Sequence, residues 1–443
     1  MKTRILLSVL LLPFLTWAQF SLKGKFTPAD EFDWILVYKV SPSNYDYVGD
    51  AKIDASGNFE IKLDADQPAG MYRLVYAVPQ EEYNFDIICN AKENVEFTYD
   101  INKGIEFHSS TENTMMSAYN NSMGMISQSI GNFFRSQSTD VSALMSILKT
   151  QSDTQEEFER ISEGMIANNF IKANRPYIPA GYEDLNTYFS NIKKHYFDYV
   201  DFNNDILQSS SFLVDRCLNF VFGMVSRQGD MNANYKANID QVANAVQPAT
   251  TQTKKMLMHV LWQQLAEAKY EDVANYIADT YLISLSKELG ENELALELER
   301  FRNVSLGRTA PNFDIPNSGK DGKTRTLHDY NVADQYVIVF WSSSCSHCLE
   351  ELPKLHDYVD KYQKDKTRVI AFGLEDEEAI WKSEIFNYPL FTHVIGLGKW
   401  ENQVGADYTV SSTPTYFVLD KNKTIIAKPL NYDELLKFFT AQK

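Results

Sequence analysis

Residues 337–348, with the sequence VIVFWSSSCSHC, decide the fold of the C-terminal part of this protein. Their first five residues continue an apolar run, which is typical of a strand buried on both faces of a sheet. Three serines end the run, and two cysteines follow with two residues between them. Residues 346–364 then have the spacing of an amphipathic helix. Cys345 and Cys348 are therefore predicted to lie where a buried strand passes into a helix.

This position would activate the first thiol. The N-terminus of a helix has unpaired N–H groups and a partial positive charge, and both stabilise a thiolate, which is the reactive form of cysteine. Cys345 is predicted to be the exposed, attacking thiol. Cys348, one helical turn further on, is predicted to be the more covered, resolving thiol. Together they would form a redox-active disulfide.

Two neighbouring side chains are further candidate catalytic residues. His347 lies between the cysteines and could donate a hydrogen bond to the Cys345 thiolate, or it could simply face solvent. Glu351 comes three residues after Cys348 and lies on nearly the same face of the helix. It could accept the Cys348 proton when that thiol must become nucleophilic, or it could be an ordinary solvated glutamate.

The cysteine pair could serve purposes other than redox exchange. A zinc or copper site would use Cys345, Cys348 and His347, but it needs more ligands, and the sequence has no second CxxC. His356 does not supply one, because it lies about 16 Å further along the helix axis. A static disulfide closing so short a loop would restrict the unfolded chain little. Redox exchange without a metal or a cofactor is favoured.

The rest of the chain predicts a multidomain protein. Residues 19–110 contain short segments rich in aromatic and β-branched residues, which predicts an all-β, sandwich-like domain with antiparallel strands. The predicted strands there are 33–40, 57–64, 70–78, 84–90 and 95–100. Residues 111–304 have the periodicity of helices. In residues 305–443 an entrance loop and a hairpin precede alternating strands and helices, which predicts an α/β domain that ends in an antiparallel hairpin.

One helical segment of the central region is rich in aromatic residues. In residues 184–200, DLNTYFSNIKKHYFDYV, the apolar positions share one helix face. These positions are Leu185, Tyr188, Phe189, Ile192, Tyr196 and Tyr199. Such a stripe could line a ligand groove, but packing into a core is the favoured interpretation.

The N-terminus predicts export. Lys2 and Arg4 precede an apolar stretch and a pair of small residues, so residues 1–18 are interpreted as a secretory signal cut after Ala18. The stretch is shorter than the roughly 20 residues that a membrane-spanning helix needs, so no stable membrane span is expected. The protein is predicted to be periplasmic or otherwise exported.

The bulk composition excludes one class of partner. Lys and Arg total 42 against 59 Asp and Glu, and the net charge of −17 repels phosphate backbones, so nucleic acid is not expected as a partner. Four cysteines are too few for a disulfide-stapled scaffold. Cys89 and Cys217 lie in apolar contexts and are predicted to be buried small hydrophobes, and the sequence leaves open whether they pair.

Three motifs resemble the TlpA/ResA branch of the thioredoxin-like superfamily, which is of the AhpC-TSA type. They are TAPNFDIPNSGKDGKTRTLHDY (309–330), VIVFWSSSCSHCLEELP (337–353) and VSSTPTYFVLD (410–420). The likeness covers residues 305–443, under a third of the chain. The preceding part looks more loosely like the β-rich domain and helical region found before such modules in some exported bacterial proteins.

The resemblance implies roles for five residues. Cys345 matches the attacking cysteine and Cys348 the resolving one. Pro414 matches the cis-proline that faces the CxxC, although the residues alone leave both isomers open. Thr413 would offer backbone hydrogen bonds to a substrate peptide. Glu351 matches the buried glutamate of this branch.

Several positions depart from ordinary thioredoxins. Ser344 stands where a tryptophan is usual, and Ser346 and His347 replace the common Gly-Pro or Glu-Pro pair. Val339 stands where ordinary thioredoxins have a buried aspartate. These departures leave the substrate and the direction of electron flow open. The acidic run that begins at Glu375 is interpreted as a favourable charge at a helix N-terminus.

The sequence therefore predicts an exported thiol:disulfide oxidoreductase, acting as a reductase or as an oxidase. Its partners would be cysteine-containing exported proteins and a redox donor or acceptor. Two alternatives remain: an envelope binding or scaffold protein with a vestigial thioredoxin-like domain, and a copper-handling protein. The oligomeric state and the role of residues 19–304 stay open.

Overall fold

The computed structural model describes residues 20–41, 44–64, 67–316 and 322–441. The predicted signal segment, residues 1–18, lies outside this range. The chain divides into two compact units: the first holds the residues up to 226 together with 240–253, and the second holds 227–239 and the residues from 254 onward.

The first unit begins with a β-rich region. Its strands are β1 (Phe20–Thr27), β2 (Trp34–Ser41), β3 (Asn44–Lys52), β4 (Asn58–Leu63), β5 (Gly70–Val75), β6 (Asn84–Cys89), β7 (Val95–Asp100) and β8 (Gly104–Ser109). They form two sheets in the orders β4-β1-β7-β8 and β3-β2-β5-β6. One core takes side chains from both sheets, such as Leu22 of β1 and Val37 of β2. The predicted sandwich-like, β-rich region is therefore confirmed.

Two details of this region differ from the expectation. The prediction of wholly antiparallel strands is wrong, because β1 and β7 run parallel. Strands β1, β3 and β8 also went unpredicted. In β3 the alternation of polar and apolar residues is interrupted at Val48 and Gly49, where the register with β2 shifts, and no side chain of the strand is fully buried.

Helices follow, as predicted. The first unit contains α1 (Thr111–Arg135), α2 (Val141–Ile161), α3 (Ala167–Ala173), α4 (Leu185–Lys194), α5 (Asp205–Gln208) and α6 (Phe212–Leu218). Four of them begin at a side chain that accepts a hydrogen bond from the first-turn backbone: Ser110 for α1, Asp140 for α2, Asp184 for α4 and Asn204 for α5. Such caps satisfy N–H groups that the helix cannot pair itself. The chain passes from the first unit to the second after residue 226, returns within α7 (Met231–Ala245) and passes to the second again within α8 (Thr251–Glu267).

The aromatic stripe of residues 184–200 does not pack as expected. Tyr188 is buried, but Leu185 is 53% exposed, Phe189 51% and Tyr199 50%. The helix ends at Lys194, so Tyr199 lies beyond it. The prediction of core packing is therefore wrong for these three residues.

The second unit continues with helices α9 (Glu271–Ile277), α10 (Ile283–Glu288) and α11 (Asn292–Asn303), then a short hairpin of β9 (Asp314–Ile315) and β10 (Arg325–Thr326). The α/β region comprises β11 (Gln335–Trp341), α12 (Ser346–Tyr358), β12 (Thr367–Glu375), α13 (Glu378–Glu384), β13 (Thr392–Leu397), α14 (Gln403–Asp407), β14 (Thr415–Asp420), β15 (Ile425–Ala427) and α15 (Tyr432–Ala441). Its sheet has the order β13-β12-β11-β14-β15. Strands β11, β12 and β13 are parallel, whereas β14 and β15 are antiparallel to their neighbours, which confirms the predicted final hairpin.

Strand β11 is central because both of its faces are apolar. Ile338 and Phe340 contribute to the core on one side of the sheet. Val339 and Trp341 contribute to the core on the other side, where Cys348 also lies. A strand covered on both faces needs a continuous apolar run rather than an alternating one, which is what the sequence provides. The predicted multidomain fold class, with a β-rich, a helical and an α/β region in that order, is confirmed.

Helix α9 is tied to the α/β region within the second unit. The Glu271 carboxylate accepts hydrogen bonds from Lys428 Nζ at 2.6 Å and from the Leu306 backbone N–H at 2.9 Å. Asn275 Nδ2 donates to Ser305 Oγ at 2.9 Å in a buried contact. In the part of the chain that is described, no helix combines the length and apolarity needed to cross a membrane.

Candidate redox site

The Cys345 sulfur caps helix α12. Cys345 has an extended backbone, with φ −92° and ψ 113°, and its Sγ accepts a hydrogen bond from the Cys348 backbone N–H at 3.2 Å. The sulfur thus occupies the position in which a serine or aspartate oxygen would cap a helix. Cys345 is half-buried, and its backbone N–H donates to the Ser342 carbonyl at 3.0 Å. This arrangement directs the unpaired N–H groups and the positive end of the helix at the sulfur.

Cys348 lies in a very different environment. Its side chain is fully buried in the core against β11, and both thiols of the pair are free. Burial, with a smaller effect from the neighbouring Cys345, raises the pKa of the Cys348 thiol to about 12. The outer sulfur is therefore accessible, while the inner one is held as a neutral thiol.

The strand that follows the Thr413–Pro414 bond approaches the outer sulfur. Cys345 Sγ donates to the Thr413 carbonyl at 3.3 Å. The Thr413–Pro414 peptide bond is cis, and β14 begins directly after it, beside β11. The structure thus brings the two residues assigned to substrate binding next to Cys345.

Glu351 is not an ordinary solvated side chain. It is half-buried on α12, and its Oε2 accepts hydrogen bonds from the Tyr416 hydroxyl at 2.8 Å and from the Tyr432 backbone N–H at 2.9 Å. Burial, followed by the charge of Glu351 and the hydrogen bond to it, raises the pKa of Tyr416. The phenol therefore remains a donor to the carboxylate. A role for Glu351 in proton transfer stays a prediction.

His347 is exposed in the first turn of α12. Among the described residues, its ring makes no hydrogen bond to the Cys345 sulfur or to any other group. Its role in tuning the thiol stays a prediction.

Glu375 is a site residue that the sequence interpretation missed. It is 5% exposed, and its carboxylate accepts from the Ser343 backbone N–H at 2.5 Å, from Ser343 Oγ at 3.0 Å and from Ser342 Oγ at 3.2 Å. The acidic run does lie at a helix N-terminus, with Glu377 at the cap position and Glu378 in the first turn of α13, but Glu375 itself is the last residue of β12. Glu375 instead holds the turn that leads into Cys345. The three consecutive serines were the available signal, because buried hydroxyl groups need an acceptor.

The remaining cysteines are buried as predicted. Cys89 and Cys217 are each 1% exposed and unpaired, and burial raises the pKa of each thiol to about 12. Within the described ranges, no three His, Cys, Asp or Glu side chains come together in a group that could hold a metal ion.

The α/β region is similar to known proteins. Residues 306–428 match the AhpC/TSA family. The thiol-disulfide oxidoreductase ResA of Bacillus cereus is 26% identical over 125 residues, which are 28% of this chain and 69% of that protein. The thioredoxin-like protein YneN of Bacillus subtilis is 27% identical over 153 residues, which are 34% of this chain and 86% of that protein.

Two solved structures are also similar. A domain of a possible thiol-disulfide isomerase from Cytophaga hutchinsonii is 32% identical, covers 31% of this chain and 92% of its own, and has a TM-score of 0.27. A thioredoxin-like protein from Bacteroides caccae is 15% identical, covers 60% of this chain and 98% of its own, and has a TM-score of 0.32.

The family match and the ResA relatives confirm the predicted resemblance. The C-terminal part of the chain is an AhpC/TSA-type, thioredoxin-like domain related to the ResA proteins. The predicted enzyme class, thiol:disulfide oxidoreductase, is confirmed with it.

Proposed function

We propose that this protein exchanges disulfides with cysteine-containing proteins of the cell envelope through Cys345 and Cys348. The observation that carries the proposal is the Cys345 sulfur at the start of α12, where it accepts the Cys348 backbone N–H at 3.2 Å. Helix N-termini favour the thiolate, which is the nucleophile in disulfide exchange. The second sulfur lies one turn behind the first, so it can displace whatever the first one captures.

In the reducing direction the exchange has two steps. The Cys345 thiolate attacks one sulfur of a substrate disulfide, the substrate S–S bond breaks, and the released substrate thiolate takes up a proton. Cys348 then gives up its proton and attacks Cys345 Sγ in the mixed disulfide. The second substrate thiol leaves, and a Cys345–Cys348 disulfide remains. Two electrons pass from the enzyme dithiol to the substrate, and the oxidising direction is the reverse.

The second step requires a proton acceptor for Cys348. Because burial raises the pKa of this thiol to about 12, it would be a slow nucleophile at neutral pH without a base. Glu351 lies one turn along the same helix and is held there by Tyr416 and Tyr432. We assign it the role of accepting that proton.

The Thr413 carbonyl is the proposed contact for the substrate backbone. In the dithiol form it accepts from Cys345 Sγ at 3.3 Å. Once Cys345 has lost its proton, this carbonyl is free to accept from a backbone N–H of the substrate.

We place the reaction outside the cytosol. The support is the sequence of residues 1–18, whose basic start and apolar stretch are typical of a secretory signal. Outside the cytosol protein disulfides persist, so substrates of this class are present there. N-terminal sequencing of the protein from the producing cell should begin at Gln19, and an intact Met1 would contradict export.

Trapping tests the exchange itself. A Cys348→Ser variant should accumulate mixed disulfides between Cys345 and its envelope partners, which mass spectrometry can identify after acid quenching. The Cys345→Ser/Cys348→Ser double variant is the matched control. Reduction of insulin by the wild type, and its loss in Cys345→Ser, should accompany the trapping. Equal inactivity of wild type and variant, with nothing trapped, would contradict the proposal and favour a binding role for the chain.

A further inference from the structure

A large cavity lies among the helices of the first unit. Its volume is about 610 Å³, within the range of roughly 300–1,000 Å³ that is usual for ligand pockets. Helices α1, α2, α4 and α6 and the segment after α3 contribute to its wall. Leu185 and Phe189 of α4, which do not pack into the core, both line this cavity.

The wall is largely aromatic. Phe134 stacks on Tyr188 with ring centroids 5.7 Å apart, and Tyr177 stacks on His195 at 5.0 Å. Phe189 lies at the edge of the cavity, and half of its surface is exposed. Packing into a core therefore does not explain why this position has an apolar side chain. Flat, rigid walls of this kind suit a large apolar or aromatic group of a ligand.

Two buried polar atoms in this wall have no partner among the described residues. Arg216 packs over the Tyr196 ring at 3.9 Å and donates from Nη2 to the Tyr196 carbonyl at 2.7 Å, but its Nε has no acceptor. Gln151 is 3% exposed, and its Oε1 has no donor. Buried polar groups are rarely left unpaired, because each costs the full energy of its desolvation. A ligand that supplies one acceptor and one donor would satisfy both.

The charge of the wall is one-sided. Three arginines line the cavity, and no aspartate or glutamate does. Arg175 is already paired with Glu159 through two hydrogen bonds of 2.8 and 2.5 Å. Arg135 and Arg216 have no carboxylate partner in the described part of the chain. An anionic group is therefore the acceptor that this cavity favours.

We propose that this cavity binds the C-terminal residue of a peptide that ends in a large apolar or aromatic side chain. The terminal carboxylate would pair with Arg216, the backbone N–H of the same residue would donate to Gln151 Oε1, and the side chain would lie among the rings. A simple fatty or aryl carboxylate supplies the anion but not the N–H donor. The cavity belongs to the first unit and the Cys345–Cys348 pair to the second, so the proposal does not rest on disulfide exchange.

Calorimetric titration of the full mature chain tests the proposal. The probe is acetyl-Ala-Ala-Phe with a free carboxylate, compared with its C-terminal amide, with acetyl-Ala-Ala-Ala and with 3-phenylpropionate. The free acid should bind, and the amide should bind about 10- to 100-fold more weakly, as expected for the loss of a charge-assisted hydrogen bond. Acid and amide binding equally, or 3-phenylpropionate matching the peptide, would overturn the proposal.

Variants locate the site. Arg216→Met, which keeps the length of the side chain, and Gln151→Leu should each weaken binding of the acid. Phe189→Ala changes an exposed residue at the edge of the cavity. It should also weaken binding of the acid, and it should not affect folding. The test therefore remains decisive if one of the buried variants fails to fold. Arg160→Met is the matched control, because Arg160 is exposed on α2, pairs with Glu157 and does not line the cavity. Cys345→Ser should bind the acid as tightly as the wild type does. Unchanged binding of the acid in both Arg216→Met and Phe189→Ala would contradict the assignment of the site to this cavity.

Discussion

At the scale of single residues, the buried Glu375 carboxylate stabilises the turn before Cys345, a role that its position in an acidic run does not indicate. It satisfies three donors of the turn before Cys345, one of them a backbone N–H. Removing the acceptor would leave these donors buried without partners, which is more costly than losing an exposed hydrogen bond. The geometry of the attacking cysteine therefore depends on a side chain from the neighbouring strand β12.

Glu375→Leu should lower the free energy of unfolding by about 2–4 kcal/mol, since it removes a charged acceptor from buried donors. Glu375→Gln should cost less, because its amide oxygen can still accept the Ser343 N–H. Urea denaturation measures both effects. Glu377→Gln is the control: that residue is exposed and its side chain makes no capping hydrogen bond, so a change within about 0.5 kcal/mol is expected. Equal costs at the two positions would contradict this account.

The buried Cys348 thiol predicts a dependence of stability on pH. Its pKa in the folded chain is raised to about 12 from the ordinary value of 9.0, so the folded state holds this proton where the unfolded state releases it. The stabilisation is complete below pH 9 and is lost as pH rises toward 12, at up to about 1.4 kcal/mol per pH unit. Urea unfolding of the reduced protein should show the stability advantage over Cys348→Ala shrinking across this window. A constant difference would show that Cys348 ionises alike in both states.

At the scale of elements, Glu351 joins three parts of the α/β region. It lies on α12 and accepts from Tyr416 of β14 and from the backbone of Tyr432 at the start of α15. The strand that follows Pro414 is thus fixed to the helix that carries both cysteines. Loss of the Tyr416–Glu351 hydrogen bond should therefore alter the redox site, because it would change the position of β14 relative to α12.

Tyr416→Phe should lower the free energy of unfolding by about 1.5–3 kcal/mol, because it removes a hydrogen bond to a charged acceptor. It should also slow insulin reduction. Tyr432→Phe is the matched control, since the bond from Tyr432 comes from its backbone N–H and survives the substitution. The comparison uses urea denaturation and the exchange assay on both variants. Similar losses in the two would mean that Glu351 does not hold β14 in place.

At the scale of the whole molecule, the second unit includes helices that precede the thioredoxin-like region. Glu271 of α9 pairs with Lys428, and the two side chains are 14% and 26% exposed. Loss of one partner leaves a mostly buried charge, so Glu271→Gln should cost about 1–3 kcal/mol in urea unfolding. Removing both charges with Glu271→Gln/Lys428→Met should restore part of that loss. Glu293→Gln, an exposed change in α11, should have no measurable effect.

The sequence predicted the parts of this molecule that local patterns specify. The continuous apolar run of β11 and the placement of Cys345 at the start of α12 both follow from neighbouring residues. Strand β1 was not predicted because Gly24 interrupts its alternation of apolar and polar residues. A Cβ at this position would lie 2.2 Å from the Phe59 ring, so the strand needs a glycine.

Long-range contacts account for the rest. Glu375 and the Tyr416 hydroxyl reach their partners across 32 and 65 positions of sequence, and no spacing rule connects them. The stripe on α4 was interpreted by its periodicity, which cannot distinguish the wall of a cavity from a core. Leu185 and Phe189 differ from core residues in what covers them, and that depends on the other helices.

The unequal burial of the four sulfurs makes the chain convenient for attaching a reporter. Cys89, Cys217 and Cys348 are each at most 1% exposed, while Cys345 is half-open to solvent. A maleimide dye added to the reduced, folded protein should therefore label one position without any engineered cysteine. Its emission would then report, in real time, on whatever approaches that end of α12.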